Sequence, residues 1–304
     1  MKKQLQNDQG VVIVIVALMM TGVIGFLALI IDGGMMYLEK SRLQKAVDHA
    51  VLAGMQNLPL REDRALAAAN EIAYGNGVLP SELTISLSDD HTVLRAEARR
   101  AVPLFFAGAL GFSDPTVSAS ATAQVGSLSS VRGAIPLGAY AARPLTFGDE
   151  VQLKVGSAGT DTSFFGALQL SGSGSSNFEN DLTRGYQGTL SVGDILMTES
   201  GNMARPTERA IQERFRGCPY HKTPTYLDHP DDCARVVVIP IYKEVTPGDF
   251  SRVRIEGFGS FFINHVGRVN EGAPITGVFL EYSYSGEFST EITNYGSYAY
   301  KLVE

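Results

Sequence analysis

The chain has no tryptophan, two cysteines among 304 residues and no excess of positive charge. Its 25 Lys+Arg against 32 Asp+Glu leave a formal charge of −7, with an isoelectric point near 5.3. That deficit of cations excludes a general nucleic-acid binder, whose affinity rests on contacts with phosphate. The 32 Gly and 13 Pro follow no fixed period, which excludes a collagen-like chain. No segment recurs at a spacing of about 20–50 residues, so repeat architectures are excluded too. The signatures G-x-S-x-G, H-E-x-x-H, S-x-x-K and the P-loop are all missing. No enzyme class is therefore expected, and no cofactor; an envelope enzyme whose site assembles from distant residues stays as an alternative.

What is present is hydrophobicity, unevenly spread. A mean hydropathy of +0.04 alongside 19% charged residues requires a concentrated apolar segment. It lies at Val11–Ile31, 21 positions without a charged side chain. At 1.5 Å per residue such a helix is about 30 Å long, the thickness of a bilayer's hydrocarbon core. A cleaved signal sequence has a shorter apolar region, about 7–15 residues, and an Ala-x-Ala-like site. Ala28 is followed two places on by Ile30, so residues 11–31 read as a retained transmembrane anchor. Lys2 and Lys3 precede it, while Lys40, Arg42 and Lys45 follow it, so charge alone leaves the direction open. The simpler topology keeps residues 1–10 as a cytoplasmic tail and makes everything beyond the anchor extracytoplasmic. Ala17, Thr21 and Gly25 form a small-residue stripe along which another helix can approach.

Beyond Asp32 the helical period continues. Leu38, Leu43, Ala46, Val47, Ala50, Val51, Gly54 and Met55 form one apolar stripe, predicting an amphipathic stalk with Gly33-Gly34 as its point of bending. Pro59 ends it, and a second helix is expected over Arg61–Tyr74. Strands near Leu83–Leu87, over Thr92–Val102 and over Thr116–Val125, with a short helix over Pro103–Leu110, complete a small α+β domain over residues 32–125. Gly126–Gly133 reads as a linker, and residues 134–304 as a β-rich domain, a sandwich or partly closed barrel. Its expected strands are Val151–Val155, Phe164–Leu170, Leu190–Thr198, Arg235–Tyr242, Arg252–Ile263 and Ile275–Tyr284, with one helix over Thr207–Arg216. Gly257-Phe-Gly259 lies within a strand pattern and marks a bulge rather than a phosphate loop.

The one cluster suited to metal or redox chemistry is Cys218-Pro-Tyr-His221 with His229-Pro-Asp-Asp-Cys233. As a disulfide, Cys218–Cys233 suits an oxidising extracytoplasmic compartment and would remove on the order of 3 kcal/mol of unfolded-state freedom. As zinc ligands, Cys218, His221, His229 and Cys233 have the donors for a tetrahedral site. Tyr282, Tyr284, Tyr295, Tyr298 and Tyr300 also concentrate aromatic faces that suit ligand contact.

One stretch carries more than composition. Asp32, Gly34 and Tyr37 form D-x-G-x-x-Y immediately after the apolar run. Leu43, Gln44, Ala46, Asp48, Ala50, Leu52, Ala53 and Gly54 then form L-Q-x-A-x-D-x-A-x-L-A-G. This opening resembles that of the TadE/TadG-like Flp (tight-adherence) pilus-assembly proteins. The resemblance implies a non-enzymatic membrane protein of a pilus or secretion apparatus. Protein partners, or self-association through the N-terminal helix, are implied with it. Two family features are absent. The fifth residue after Gly10 is Ile15 rather than glutamate, so pilin-like processing is not implied. Asp161-Thr-Ser163 is followed by Phe164-Phe165, so the D-x-S-x-S metal motif is not met.

Overall fold

A computed structural model describes residues 8–303 apart from 110, 143–144, 154–164, 219–222 and 231. Its first element, α1 (Asp8–Met55), is an unbroken 48-residue helix, about 70 Å long by its rise per residue. It runs through Gly33 and Gly34 without interruption. Side chains from Val12 to Ile31 are exposed, except the half-buried Ala28. From Asp32 onward one face turns inward, burying Leu43, Ala46, Val47, Ala50, Val51 and Met55. Leu38 is not on that face and is exposed. Five residues before Leu43, it is rotated about 140° around the helix axis. The second helix, α2 (Glu62–Gly75), buries Ala65, Ala69 and Ala73, one residue per turn.

A sheet receives α1. Its first strands are β1 (Leu83–Leu87) and β2 (Val93–Ala101), an antiparallel hairpin turning at Asp89–His91. A four-residue helix, α3 (Phe106–Ala109), precedes β3 (Thr116–Leu128), which pairs antiparallel with β2 from Ala101↔Thr116 to Val93↔Gln124. Alternation along β3 buries Val117, Ala119, Ala121, Ala123 and Val125. Ala96 and Ala98 of β2 continue this face. Methyl side chains keep the platform shallow, so α1 lies close upon it.

The sequence predicts an end to this strand at Val125 and a linker over 126–133. Instead β3 continues to Leu128, and β4 (Ser130–Arg132) follows after one residue. Gly126 pairs with Ala299 inside the ladder, where a Cβ would meet the Phe288 ring at 2.6 Å.

The β-rich part begins with β5 (Leu137–Tyr140), β6 (Glu150–Leu153) and β7 (Phe165–Ala167). Helix α4 (Ser175–Arg184) follows, then β8 (Thr189–Ser191), β9 (Ile195–Met197) and α5 (Ala204–Arg216). The expected strand over 190–198 is thus two short strands around a turn at Gly193. Helix α4 had no apolar signal beyond Phe178 and Leu182, which are the hydrophobic side chains it buries. Long strands β10 (Val236–Thr246) and β11 (Asp249–Val266) form a hairpin at Pro247–Gly248, and β12 (Ile275–Leu280) pairs with β11. They lie in a seven-stranded sheet of order β6-β12-β11-β10-β5-β7, with β9 also on β11. The bulge expected near Gly257 is present: Ile241 pairs with Gly257 and Tyr242 with Ile255, leaving Glu256 unpaired in register.

After Leu280 the chain leaves this sheet. The strand expected over 275–284 is divided, and β13 (Tyr282–Ser285), β14 (Phe288–Ser289) and β15 (Ser297–Val303) return to the first sheet. Its order is β1-β2-β3-β15-β13, with β14 on β3. The whole is α+β, a long apolar helix leading into a small helical part and a large, mostly β body.

Candidate functional site

Three places follow from this framework: the exit of α1 from its apolar run, the loop closed by the cysteines, and a cleft where stalk and β-body meet.

At the exit stands Asp32, 5% exposed. Its carboxylate accepts backbone N–H groups from Phe105 at 2.8 Å, Phe106 at 3.2 Å and Ala107 at 2.8 Å. A buried carboxylate needs such donors, since an unsatisfied one carries a large desolvation penalty. The residue thus joins α1 to the start of α3. No local pattern signals this pairing, because the partners lie more than 70 positions away.

The other motif residues divide into two groups. Leu43, Ala46 and Ala50 are buried against the alanine face of the sheet, and Ala53 is half-buried. Gly54 packs where α1 meets α2: a Cβ there would collide with Leu94 and lie 3.0 Å from the Ala65 carbonyl and 3.2 Å from the Ala69 Cβ. Gln44 donates from Nε2 to Asp48 at 2.8 Å and to the Ser120 carbonyl of β3 at 3.0 Å. These residues build the fold. Gly34 and Tyr37 do not: Tyr37 is 77% exposed, and nothing lies within 4 Å of a Cβ at Gly34. In the apolar run, the Thr21 hydroxyl donates to the Ala17 carbonyl at 2.8 Å, which leaves the Ala17–Thr21–Gly25 stripe without a free donor.

Arg100 braces the stalk from β2. Its guanidinium donates to Glu39 of α1 at 3.0 Å, to Glu82 at 2.7 and 2.8 Å and to the Gly77 carbonyl at 2.6 Å. Hydrogen bonds from Arg100, opposed by partial burial, hold the Glu82 carboxyl below its ordinary range.

Cys218 and Cys233 are bonded to each other, with Cα atoms 4.6 Å apart. Their sulfurs are therefore not thiolate ligands, and the alternative of a zinc site at Cys218, His221, His229 and Cys233 loses two of its four donors. His221 lies outside the described residues. The His229 ring stacks on Phe262 at 5.5 Å and its Nδ1 lies 3.0 Å from the Pro230 carbonyl. Among the described residues no group of three His, Cys, Asp or Glu is placed to hold a metal ion.

The disulfide-closed loop forms one wall of a cleft of about 890 Å³. Tyr226, Leu227 and His229 stand on that side. Opposite are Gln56, Asn57, Leu60 and Arg61 from the α1–α2 corner, with Glu281, Tyr282 and Ser283 at the strand crossover. Ser283 ties the strand crossover to the α1–α2 corner by donating to the Leu58 carbonyl at 2.9 Å. Most of the tyrosines expected as a contact surface serve the interior instead. Tyr300 is buried, the Tyr284 hydroxyl lies 2.9 Å from the buried Ser260 hydroxyl, and the Tyr295 ring fills the space at Gly257. Tyr282 and Tyr300 reach the cleft.

The histidines are scattered: His49 is exposed on α1, His91 lies 3.4 Å from Glu62 at the β1–β2 turn, and His265 is exposed on β11. A buried arginine was not legible in the sequence. Arg214 of α5 donates to the carbonyls of Leu182 and Ala234, and burial pushes its guanidinium down to about 10.

Residues 10–57 match the Tad family model, described as putative Flp pilus-assembly TadE/G-like. No curated protein and no solved structure matches the chain. The match covers the apolar run and the packed half of α1, and the helix is long and apolar enough to cross a membrane. Together they fit a pilus-related membrane protein.

Proposed function

We propose that the protein is a non-enzymatic, single-pass membrane component of a Flp/Tad-like pilus assembly or secretion apparatus. Residues 11–31 anchor it, the N-terminus stays cytoplasmic, and the stalk presents the β-rich body outside the membrane. The observation that carries this reading is α1, whose first part exposes apolar side chains while its second part is built into a folded body. The disulfide supports the orientation, since such bonds persist in oxidising compartments. Protein partners are best met through what the fold leaves uncommitted on α1: the Ala17–Thr21–Gly25 stripe, Gly34, Tyr37 and Leu38.

Removing residues 1–31 tests the anchor while leaving the stalk core intact. The full chain is expected to stay with membranes through an alkaline carbonate wash, and the shortened chain to be released by it. Retention of the shortened chain after that wash would sink the anchor. A C-terminal alkaline phosphatase fusion, active only when translocated, reads the orientation.

The cleft favours a second reading, a binding module for a peptide or carbohydrate, because aromatic and hydrogen-bonding groups converge there. A screen with a fragment covering 32–304 separates the two; no saturable ligand leaves the scaffold role standing.

A further inference from the structure

Segment 103–112 contains Phe105, Phe106 and Phe112, and no charged residue lies between Arg100 and Asp114. Phe105 is 75% exposed, Phe112 65% and Phe106 37%. Three phenylalanines on one short uncharged stretch are too much apolar surface to leave facing water without a reason. The reason lies in where the stretch is held. Asp32, the first charged residue after the apolar run, grips the backbone of Phe105, Phe106 and Ala107. Phe105 and Phe106 therefore stand where the apolar run of α1 ends, and Phe112 is tied to them by its N–H, which donates to the Ala107 carbonyl at 3.1 Å.

We propose that Phe105, Phe106 and Phe112 form a second membrane contact, a foot that seats in the interfacial layer of the bilayer beside the exit of α1. This rests on the anchor reading above. Its occupant is lipid rather than protein, because the surface is continuous with a helix run whose neighbours at that height are acyl chains and headgroups. Aromatic and aliphatic side chains partition favourably into that layer. Asp32 acts as a positioning residue: its carboxylate satisfies three backbone donors that would otherwise meet the edge of the hydrocarbon unpaired. A lone transmembrane helix leaves the tilt and rotation of its cargo free, whereas flanking interfacial anchors set them. The foot fixes how the β-body stands on the membrane.

The absence of tryptophan supplies the test. Phe105→Trp, Phe112→Trp, Leu18→Trp and Leu227→Trp each place a single fluorophore in the full chain. Each variant is reconstituted in phosphatidylcholine–phosphatidylglycerol vesicles carrying lipids brominated either near the headgroup or near the chain terminus. Leu18→Trp reports the anchor and is expected to be quenched most by the deep bromines. Leu227→Trp, 80% exposed on the cleft wall, serves as the reference and is expected to escape both. The proposal expects blue-shifted emission and preferential quenching by shallow bromines for Phe105→Trp and Phe112→Trp. If Leu18→Trp is quenched while these two emit as in water, the foot is refuted and the anchor survives. Blue-shifted emission without quenching also refutes it, and identifies a protein surface such as a second copy as the cover. If Leu18→Trp itself escapes quenching, the anchor reading fails first.

Discussion

Arg100 and Glu39 stand 3.0 Å apart, joining the second strand of the platform sheet to the helix that lies on it. Glu82 completes the arrangement from the turn before β1, and all three side chains are less than a quarter exposed. Replacing Arg100 with methionine leaves Glu82 partly desolvated without its cation and leaves Glu39 with Arg42 alone, at 2.7 Å. We expect a loss of about 1–3 kcal/mol, seen as a lower Tm.

The same cluster sets an acid limit. Arg100 lowers the Glu82 carboxyl in the folded state, so its contribution is fully present above the unfolded glutamate value, about 4.3. That contribution is lost as pH falls through the lowered folded value. Stability followed downward from pH 6 should therefore fall more shallowly in Arg100→Met, because less paired-carboxylate stabilisation remains to lose. Parallel curves would show that the pair does not control this range.

Gly54 permits the crossing of α1 and α2. Gly54→Val drives a branched side chain into Leu94 and the Ala65 carbonyl, with an expected loss of about 2–3 kcal/mol. Shortening the neighbour, as Leu94→Ala, should make the two effects less than additive in a double-mutant cycle. Strict additivity would mean the two do not share the space.

The Cys218–Cys233 bond stabilises by restricting the unfolded chain, by about 3 kcal/mol. Reductant should lower the Tm of the native protein and leave a Cys218→Ser/Cys233→Ser double variant unchanged. Since the bonded loop carries one wall of the cleft, hydrogen exchange near Tyr226 and Leu227 should rise in that variant.

A fragment of residues 134–304 should fail to fold independently. It contains β15 but lacks β3, the strand with which β15 pairs from Tyr298↔Ser127 to Val303↔Thr122. A fragment of residues 32–304 retains that pairing. Near-ultraviolet circular dichroism should show fixed tertiary packing only in the longer one.

This pairing also marks the limit of what local sequence encodes. Features written in local pattern were legible: the apolar run, the Leu38–Met55 stripe apart from Leu38 itself, the strand over Thr116–Val125, and the bulge at Gly257. The disulfide was legible as one of several uses of two cysteines. What was not legible depends on distant partners. Nothing in the run 126–133 shows that Gly126 sits opposite Ala299, and small polar residues there read as a linker. Nothing around Asp32 points to Phe105, and the cleft is assembled from five separated stretches. The tyrosines near residue 300 looked like a contact surface because burial is a tertiary property, decided by Ser260, Gly257 and the α1–α2 corner.

The strand order β2-β3-β15 has a consequence for biogenesis. Synthesis yields the anchor and the stalk first, yet the sheet on which the stalk lies gains its fourth strand only from residues 297–303. In the topology proposed above, nearly the whole described chain crosses the membrane before that strand can dock. That topology couples folding of the sheet under the stalk to completion of export, and a chain stalled in transit would display an open sheet edge at β3 to chaperones and proteases.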